Sequence, residues 1–484
     1  MKEDIPNSPS YINAIDNSPL SIISSRLTNW FKEKNWESFG IASAVFIFLT
    51  VLGVLVRLLA AYYFRENYSF YTTPPIWERN VLFNPADSQL NGYADFSFYY
   101  VNWVEAWYKD GWYPFTDWRS TILRDPLYYY SYPPIFLYFI VLIWRPGMSV
   151  IWIAMPLIVT DAACAGMVYL IVDKLVKGTK SKGVAFIAGM LMVFSPINII
   201  YDGVFWLNPG PVTLFTLISF YFILERKWWQ VFFWLAIATM TKQNALFFTY
   251  PLFFVMLGEK VKEKGIKRAS FESFANVLLF ISMLLIISAP WIFITPIHYF
   301  VHLLYPGKML TTEPIVGEPD FGQSVPISWS LYYYGIRGIF GDIIAFSINS
   351  MFLMIASASI IGVYLMWRSF RGKLDNTEFF ELISIYTIWT HIFMPRGVFK
   401  FYSAYYVPII IVALVSSLAY YKVKKIAFLS LLSLAVILFM GFNLWHEIIH
   451  PYFIPLLLFI SSLMLMALFG LRRFYRHKVL SITF

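Results

Sequence analysis

Apolar runs recur along almost the whole chain, near 41–63, 149–172, 184–201, 211–224, 228–240, 244–257, 274–296, 342–366, 379–394, 402–421, 426–445 and 452–470. Many approach the ~20 residues that carry a helix across a bilayer. The pattern predicts an all-α polytopic membrane protein with about twelve transmembrane helices. The pair between 211 and 240 is short, so tilted or protein-enclosed helices are expected there. A further run, PPIFLYFIVLIW at 133–144, is apolar but shorter than a span.

The connections between runs alternate in character. DKLVKGTKSKG (173–183), ERK (225–227), GEKVKEKGIKR (258–268), RSFRGK (368–373), KVKK (422–425) and LRRFYRHK (471–478) are rich in Lys and Arg. The others, 64–131, 202–210, 297–340 and 446–451, are aromatic, acidic or poor in cations. Lys and Arg favour the cytoplasmic side of a membrane. With twelve spans and both termini cytoplasmic, every basic loop falls inside. Counting 133–144 as a span would put the later basic loops outside, so that run is expected to lie at, or dip into, the outer surface. The outer face then carries two large loops, about 64–148 and 297–340. Long loops of this kind are usually functional. The expected organisation is a cytoplasmic tail over 1–40, a transmembrane module over 41–421, and C-terminal helices with a cytoplasmic tail over 422–484.

Composition strengthens this picture. Hydrophobic residues make up 59% of the chain, charged residues 13%, and the mean hydropathy is +0.62. A soluble domain of this size cannot enclose that much apolar surface. The net charge of +9 fits the basic loops, and no basic domain offers a nucleic-acid surface. The single cysteine, Cys164, lies in an apolar run, which excludes an intrachain disulfide and a cysteine metal cluster. The first forty residues are polar and mixed in charge, so a cleaved leader is not expected.

Candidate chemistry concentrates in the outer segments. YADFSFYYVNWVEAWYKDGWYPF, 93–115, reads as an amphipathic helix from Asp95 to Tyr108, ended by the Asp110–Gly111 turn. Asp95, Tyr99 and Asn102 share one face; Asp95 is either the helix N-cap or a reactive carboxylate, and one role does not exclude the other. Asp117 and Asp125 lie beside Arg119 and Arg124 and read as turn or surface ion-pair residues. Lys242, in TKQNALFFTYP, falls on the outer side by the charge count, as do Arg396 and Lys400 in MPRGVFKFYSAYYVP, close to His391. Cations on the non-cytoplasmic face suit an anionic head group or anchor a helix end in the interface. Asp161 is the conspicuous charge inside a span. The outer loops hold no paired carboxylates of the DxD type, so no metal is expected. The sequence also lacks HExxH, P-loop, GxSxG and dinucleotide signatures.

In this order, YADFSFYYVNW, GWYPF, SYPPIFLY, IVTDAACAGMVYL, TKQNALFFTYP and MPRGVFKFY resemble the GT-C superfamily over roughly 41–421. These are integral membrane glycosyltransferases that use polyprenyl-phosphate-linked sugars; the likeness is greatest to the dolichyl-phosphate-glucose and -mannose users. The chain departs from the family's W-G-Q-x-D pattern: FWLNPGP (205–211) keeps Trp206 but has Gly210 where the Asp would fall. The resemblance implies a GT-C fold with juxtamembrane helices in the large outer loop. It also implies transfer of a hexose from polyprenyl or dolichyl phosphate to an acceptor hydroxyl on a glycan or lipid-linked acceptor. Asp95 would be the general base of an inverting reaction, and Arg396, Lys400 and Lys242 would bind the lipid phosphate. Tyr99, Trp103, Glu105, Tyr132, Trp206 and His391 would contact sugar or acceptor. No cofactor is implied beyond the lipid-linked donor, and the expected location is the plasma membrane or endoplasmic reticulum. The competing reading is a lipid or small-molecule transporter or flippase, which accounts for the spans and Asp161 but not for two large outer loops. A non-catalytic scaffold relative is the third.

Overall fold

Six helices are long and apolar enough to cross a membrane: Gly40–Tyr62, Ile151–Leu175, Ser181–Val204, Ile266–Ile294, Met351–Phe370 and Leu456–Tyr475. They suggest an integral membrane protein. In hydrocarbon every backbone N–H and C=O must be satisfied within the segment, so the apolar runs become helices. The computed structural model describes residues 36–64, 96, 100–109, 132–176, 181–300, 303, 324–325, 343, 347, 350–394, 398–399, 402–418, 424–446 and 454–480. Among these residues the fold is all-α, with fifteen helices and one two-stranded ribbon. Residues 1–45 and Phe46–Phe484 form separate units. The second holds the side chains considered below.

The helices are α1 (Trp36–Phe64), α2 (Asn102–Lys109), α3 (Pro134–Val141), α4 (Ile151–Leu175), α5 (Ser181–Val193) and α6 (Pro196–Asn198). After a π-helical turn at Ile199–Val204 come α7 (Pro209–Leu224) and α8 (Trp228–Thr241). A 3₁₀ turn at Gln243–Phe248 leads to α9 (Thr249–Lys264), followed by α10 (Ile266–Ile294). The chain closes with α11 (Met351–Phe370), α12 (Asn376–Ile392), α13 (Ser403–Leu418), α14 (Lys424–His446) and α15 (Ile454–Leu480). At 1.5 Å per residue, α7 and α8 reach only about 24 and 21 Å. Both fall short of the ~30 Å hydrocarbon core, and α7 is mostly buried in protein. Helix α3 has eight residues, about 12 Å, too short to span.

Helix α4 is the central post. Every residue from Thr160 to Tyr169 is buried, and α5, α7 and α13 pack around it. The small residues Ala162 to Gly166 make this possible, because helices without bulky side chains approach closely. Gly210 is the tightest point: a Cβ there would lie 2.8 Å from Asp161 Cβ, Asp161 N and Leu157 O. A larger residue at that position would force α7 or α4 to shift.

The ionisable groups in the spans differ from expectation. Asp161 does not stand alone: Arg57, on α1, donates its Nε–H to Asp161 Oδ2, and both side chains are fully buried. Asn198 Nδ2 donates to the other carboxylate oxygen at 3.0 Å. Near the basic loops, Glu381 of α12 accepts from Arg472 of α15 at 2.8 Å and from Ser417 of α13 at 3.0 Å. Arg368 grips Glu378 with two bonds of 2.6 and 2.7 Å. Buried ions are tolerated when paired and further hydrogen-bonded.

Two structures join the segments at the helix ends away from the basic loops. Ser324–Val325 pairs antiparallel with Val398–Phe399, tying the 297–340 loop to the segment before α13. A buried aromatic cluster unites Phe96, Tyr100 and Trp103 from the first large loop with Phe136 of α3, Trp206, and Trp291 and Tyr299 around the end of α10. Tyr299 shares a 2.5 Å hydrogen bond with Ser288 of α10, and burial pushes its hydroxyl pKa up to about 12.

Candidate functional site

The site forms at the helix ends opposite the basic loops. Helix α8 begins at Trp228, beside ERK, and ends at Thr241, so Lys242 sits about 21 Å along its axis from that loop. Helix α7 runs the other way and begins at Asn208–Pro209. Helix α12 ends near His391, and α13 begins after Tyr402. These ends meet the chain around Tyr100, Trp103 and Tyr132.

Asn208 is the hub. Its Nδ2 donates to Tyr100 Oη at 2.6 Å and to Tyr132 Oη at 2.9 Å. Its Oδ1 accepts from Lys242 Nζ at 2.7 Å and from Tyr405 Oη at 2.5 Å. Lysine only donates, which fixes the amide with its oxygen toward Lys242. All four hydrogen-bonding places of the amide are filled. The lysine ammonium also lies over three tyrosine faces, 4.8 Å from Tyr402, 5.0 Å from Tyr405 and 5.4 Å from Tyr132. Each such contact contributes about 0.5–2 kcal/mol, more where water is excluded. Lys242 is 5% exposed.

The local sequence explains why Asn208 is available. It holds the N-cap position of α7, yet its side chain caps nothing. Asp202 accepts the Gly210 N–H at 3.1 Å instead, a capping bond made from the preceding π-helical turn. Pro209 at the first helical position has no N–H to satisfy. Between them, Trp206 takes a left-handed backbone at φ 56°. That conformation costs a non-glycine residue about 1–3 kcal/mol and persists only where packing enforces it. Phe96 packs edge-on against the Trp206 ring at 4.9 Å, inside a fully buried shell.

The predicted residues divide into groups. Lys242 and Tyr132 touch directly, and Trp103 backs the cage, 5.8 Å from the Tyr132 ring and 5.6 Å from Tyr100. Trp103 and Trp206 are both fully enclosed, so they hold the cage in place. Glu105 lies in the first turn of α2, half-buried. The regular helix begins at Asn102, with π-helical backbone at Tyr100 and Val101. His391 stands behind the cage, its ring 5.7 Å from Tyr402 and 5.5 Å from Tyr406. Its Nδ1–H donates to Thr387 O at 2.7 Å, which leaves Nε2 as an acceptor. His391, Thr213, Asn244 and Tyr405 line a cavity of about 20 Å³, room for about one water. Asp95, Tyr99, Arg396 and Lys400 lie outside the described residues, as do Asp117 and Asp125.

Sequence reading passed over Asn208, Tyr100, Tyr402 and Tyr405. Asn–Pro before an apolar run reads as an ordinary helix start. The only signal was its place between Trp206 and Gly210. Among the described residues no group of three or more His, Cys, Asp or Glu could hold a metal ion. The sequence matches no known family model and no curated protein.

Proposed function

We propose that the protein is a polyprenyl-phosphate-sugar-dependent hexosyltransferase of the GT-C type. It would move mannose or glucose to an acceptor hydroxyl on the membrane face opposite the basic loops. The observation that carries this reading is Lys242: an ammonium held at a helix end far from the basic loops, its position set by Asn208 and three tyrosines. A cation preorganised in this way is the device that stabilises a departing lipid phosphate. Tyr132, half-buried beside Lys242, has ring surface left for a sugar. Tyr100 and Tyr132, both from the 64–148 segment, meet at this end through Asn208.

In this reading Asp95 accepts the acceptor's hydroxyl proton as that oxygen attacks the anomeric carbon. The bond from the anomeric carbon to the phosphate oxygen breaks with inversion, and the lipid phosphate leaves with the electron pair. General-base help of this kind supplies about 10²–10⁴-fold. Arg396 and Lys400 join Lys242 in holding the phosphate. Transport is the weaker reading, because the span carboxylate that suggested it, Asp161, is already matched by Arg57. Incubating the purified protein with radiolabelled mannosyl- or glucosyl-phosphopolyprenol and a membrane lipid extract tests the proposal. Label entering an acceptor supports it, and no transfer from either donor contradicts it.

A further inference from the structure

A cavity of about 880 Å³ lies at the other end of the molecule, between the α7–α8 turn, the α9–α10 hairpin and the end of α11. Three of the basic loops therefore converge on one space. Its cationic lining is Arg226, Lys227, Lys260, Lys262 and Lys264. Its carboxylates are Glu259, Glu263 and Glu272, which leaves an excess of two positive charges.

The pairing inside the cavity sharpens that excess. Glu272 alone answers three cations: Lys264 at 2.8 Å, Arg268 at 3.2 Å and Lys260 at 3.3 Å. Lys260 is 9% exposed, so its charge is poorly screened by water. Glu259 answers Arg226 at 2.8 Å. Burial, against the pull of Arg226, pushes the Glu259 carboxyl up to about 7, so it supplies less than a full negative charge near neutrality. Lys262 is exposed, and its ammonium rests over the glycine turn at Gly372 that ends α11. Ammonium groups gathered around too few carboxylates are a receptor for phosphate oxygens. A phosphate monoester, at −1.5 to −2 near neutrality, matches the missing charge better than a diester.

The rim identifies the source of that phosphate. Trp229 and Phe271 line the cavity and are exposed, and Ile266 and Phe274 of α10 are exposed beside them. This apolar surface continues along a helix long and apolar enough to span the membrane. A soluble anion has no use for it, whereas acyl chains do. We propose that this cavity binds a phospholipid with a phosphate-monoester head group, taken from the leaflet on the basic-loop side. The proposal is independent of any transferase activity.

The test uses the full-length protein in a neutral maltoside detergent, with thermal unfolding followed by tryptophan fluorescence. A ligand that binds the folded state raises the midpoint in a concentration-dependent way. Dioctanoyl phosphatidic acid should raise it, and dioctanoyl phosphatidylcholine should not. Inorganic phosphate should need at least ten times the concentration for the same shift. The double variant K262Q/K264Q, altered only at exposed positions, should move the phosphatidic acid response at least tenfold to higher concentration. E272Q, which frees three cations, should move it to lower concentration. K182Q, a matching substitution at the exposed Lys182, which does not line the cavity, should leave it unchanged. An unaltered response in K262Q/K264Q, a weakened one in E272Q, or equal potency of inorganic phosphate would overturn the proposal.

Discussion

Asn208 Oδ1 accepts a hydrogen bond from Lys242 Nζ at 2.7 Å while its amide nitrogen serves the hydroxyls of Tyr100 and Tyr132. One neutral side chain thus aims a buried cation and ties it to two segments more than seventy residues away. The amide is suited to this task because it donates and accepts without cancelling the charge. A carboxylate in its place would set a negative charge directly against the ammonium.

That distinction is testable. Asn208→Asp keeps the shape of the hub and should leave folding near wild type while depressing transfer, because Lys242 is then neutralised in place. Asn208→Ala should instead destabilise. It removes four hydrogen bonds at once, and loss of the charged bond alone costs about 1.5–3 kcal/mol. Unfolding midpoints and transfer rates measured on both variants separate the two effects. Wild-type transfer by Asn208→Asp would contradict the role given to the Lys242 ammonium.

The Arg57–Asp161 pair makes a different prediction. Removing one member leaves a buried charge without its partner, so Arg57→Met or Asp161→Leu should each cost about 3–5 kcal/mol. The double variant should be less damaging than the single changes add up to, because neither member of the pair is left without the other. Denaturant unfolding in detergent gives the comparison. Strict additivity would show that the two side chains do not depend on each other.

Gly210 offers a packing test. A methyl group there meets Asp161 and the Leu157 carbonyl at 2.8 Å, so Gly210→Ala should destabilise by about 1–3 kcal/mol. Gly210→Asp should be worse, since it adds a charge to the same crowded contact. An unchanged melting midpoint in Gly210→Ala would show that α7 can move away from α4 without cost.

Glu259 sets a pH dependence on the basic-loop side. Its carboxyl is raised from 4.5 to about 7 by burial, with Glu263 adding to the rise and Arg226 and a Trp228 hydrogen bond opposing it. In that interval the folded protein binds more protons at this group than the unfolded chain. Stability therefore falls as pH rises from about 4.5 to about 7. Glu259→Gln should flatten this part of the stability profile, measured as unfolding midpoint against pH. An identical profile in the variant would remove Glu259 as its source.

Much of the architecture was legible in the sequence for simple reasons. Apolar length marks spans, and cation-rich loops mark one end of the helices. The same rule made Lys242 stand out, because it lies where a basic residue is least expected. The shortness of 133–144 foretold a helix that cannot cross. What stayed hidden depends on contacts between distant positions. Arg57 lies inside the first apolar run, and nothing local to it points to Asp161, 104 residues later. Glu381 and Arg472 are separated by 91 residues, and no local pattern joins them. Asn208 was masked by its own neighbourhood, where Asn–Pro signals a helix start. Only the capping of Gly210 by Asp202 reveals that the asparagine serves elsewhere.

The most direct measurement is hexose transfer from polyprenyl phosphate by the purified wild type, Asp95→Asn and Lys242→Met, each in the presence of EDTA. The account predicts wild-type transfer that survives EDTA, loss of about 10²–10⁴-fold in Asp95→Asn and loss of about 10²–10³-fold in Lys242→Met. Undiminished transfer in both variants would contradict it.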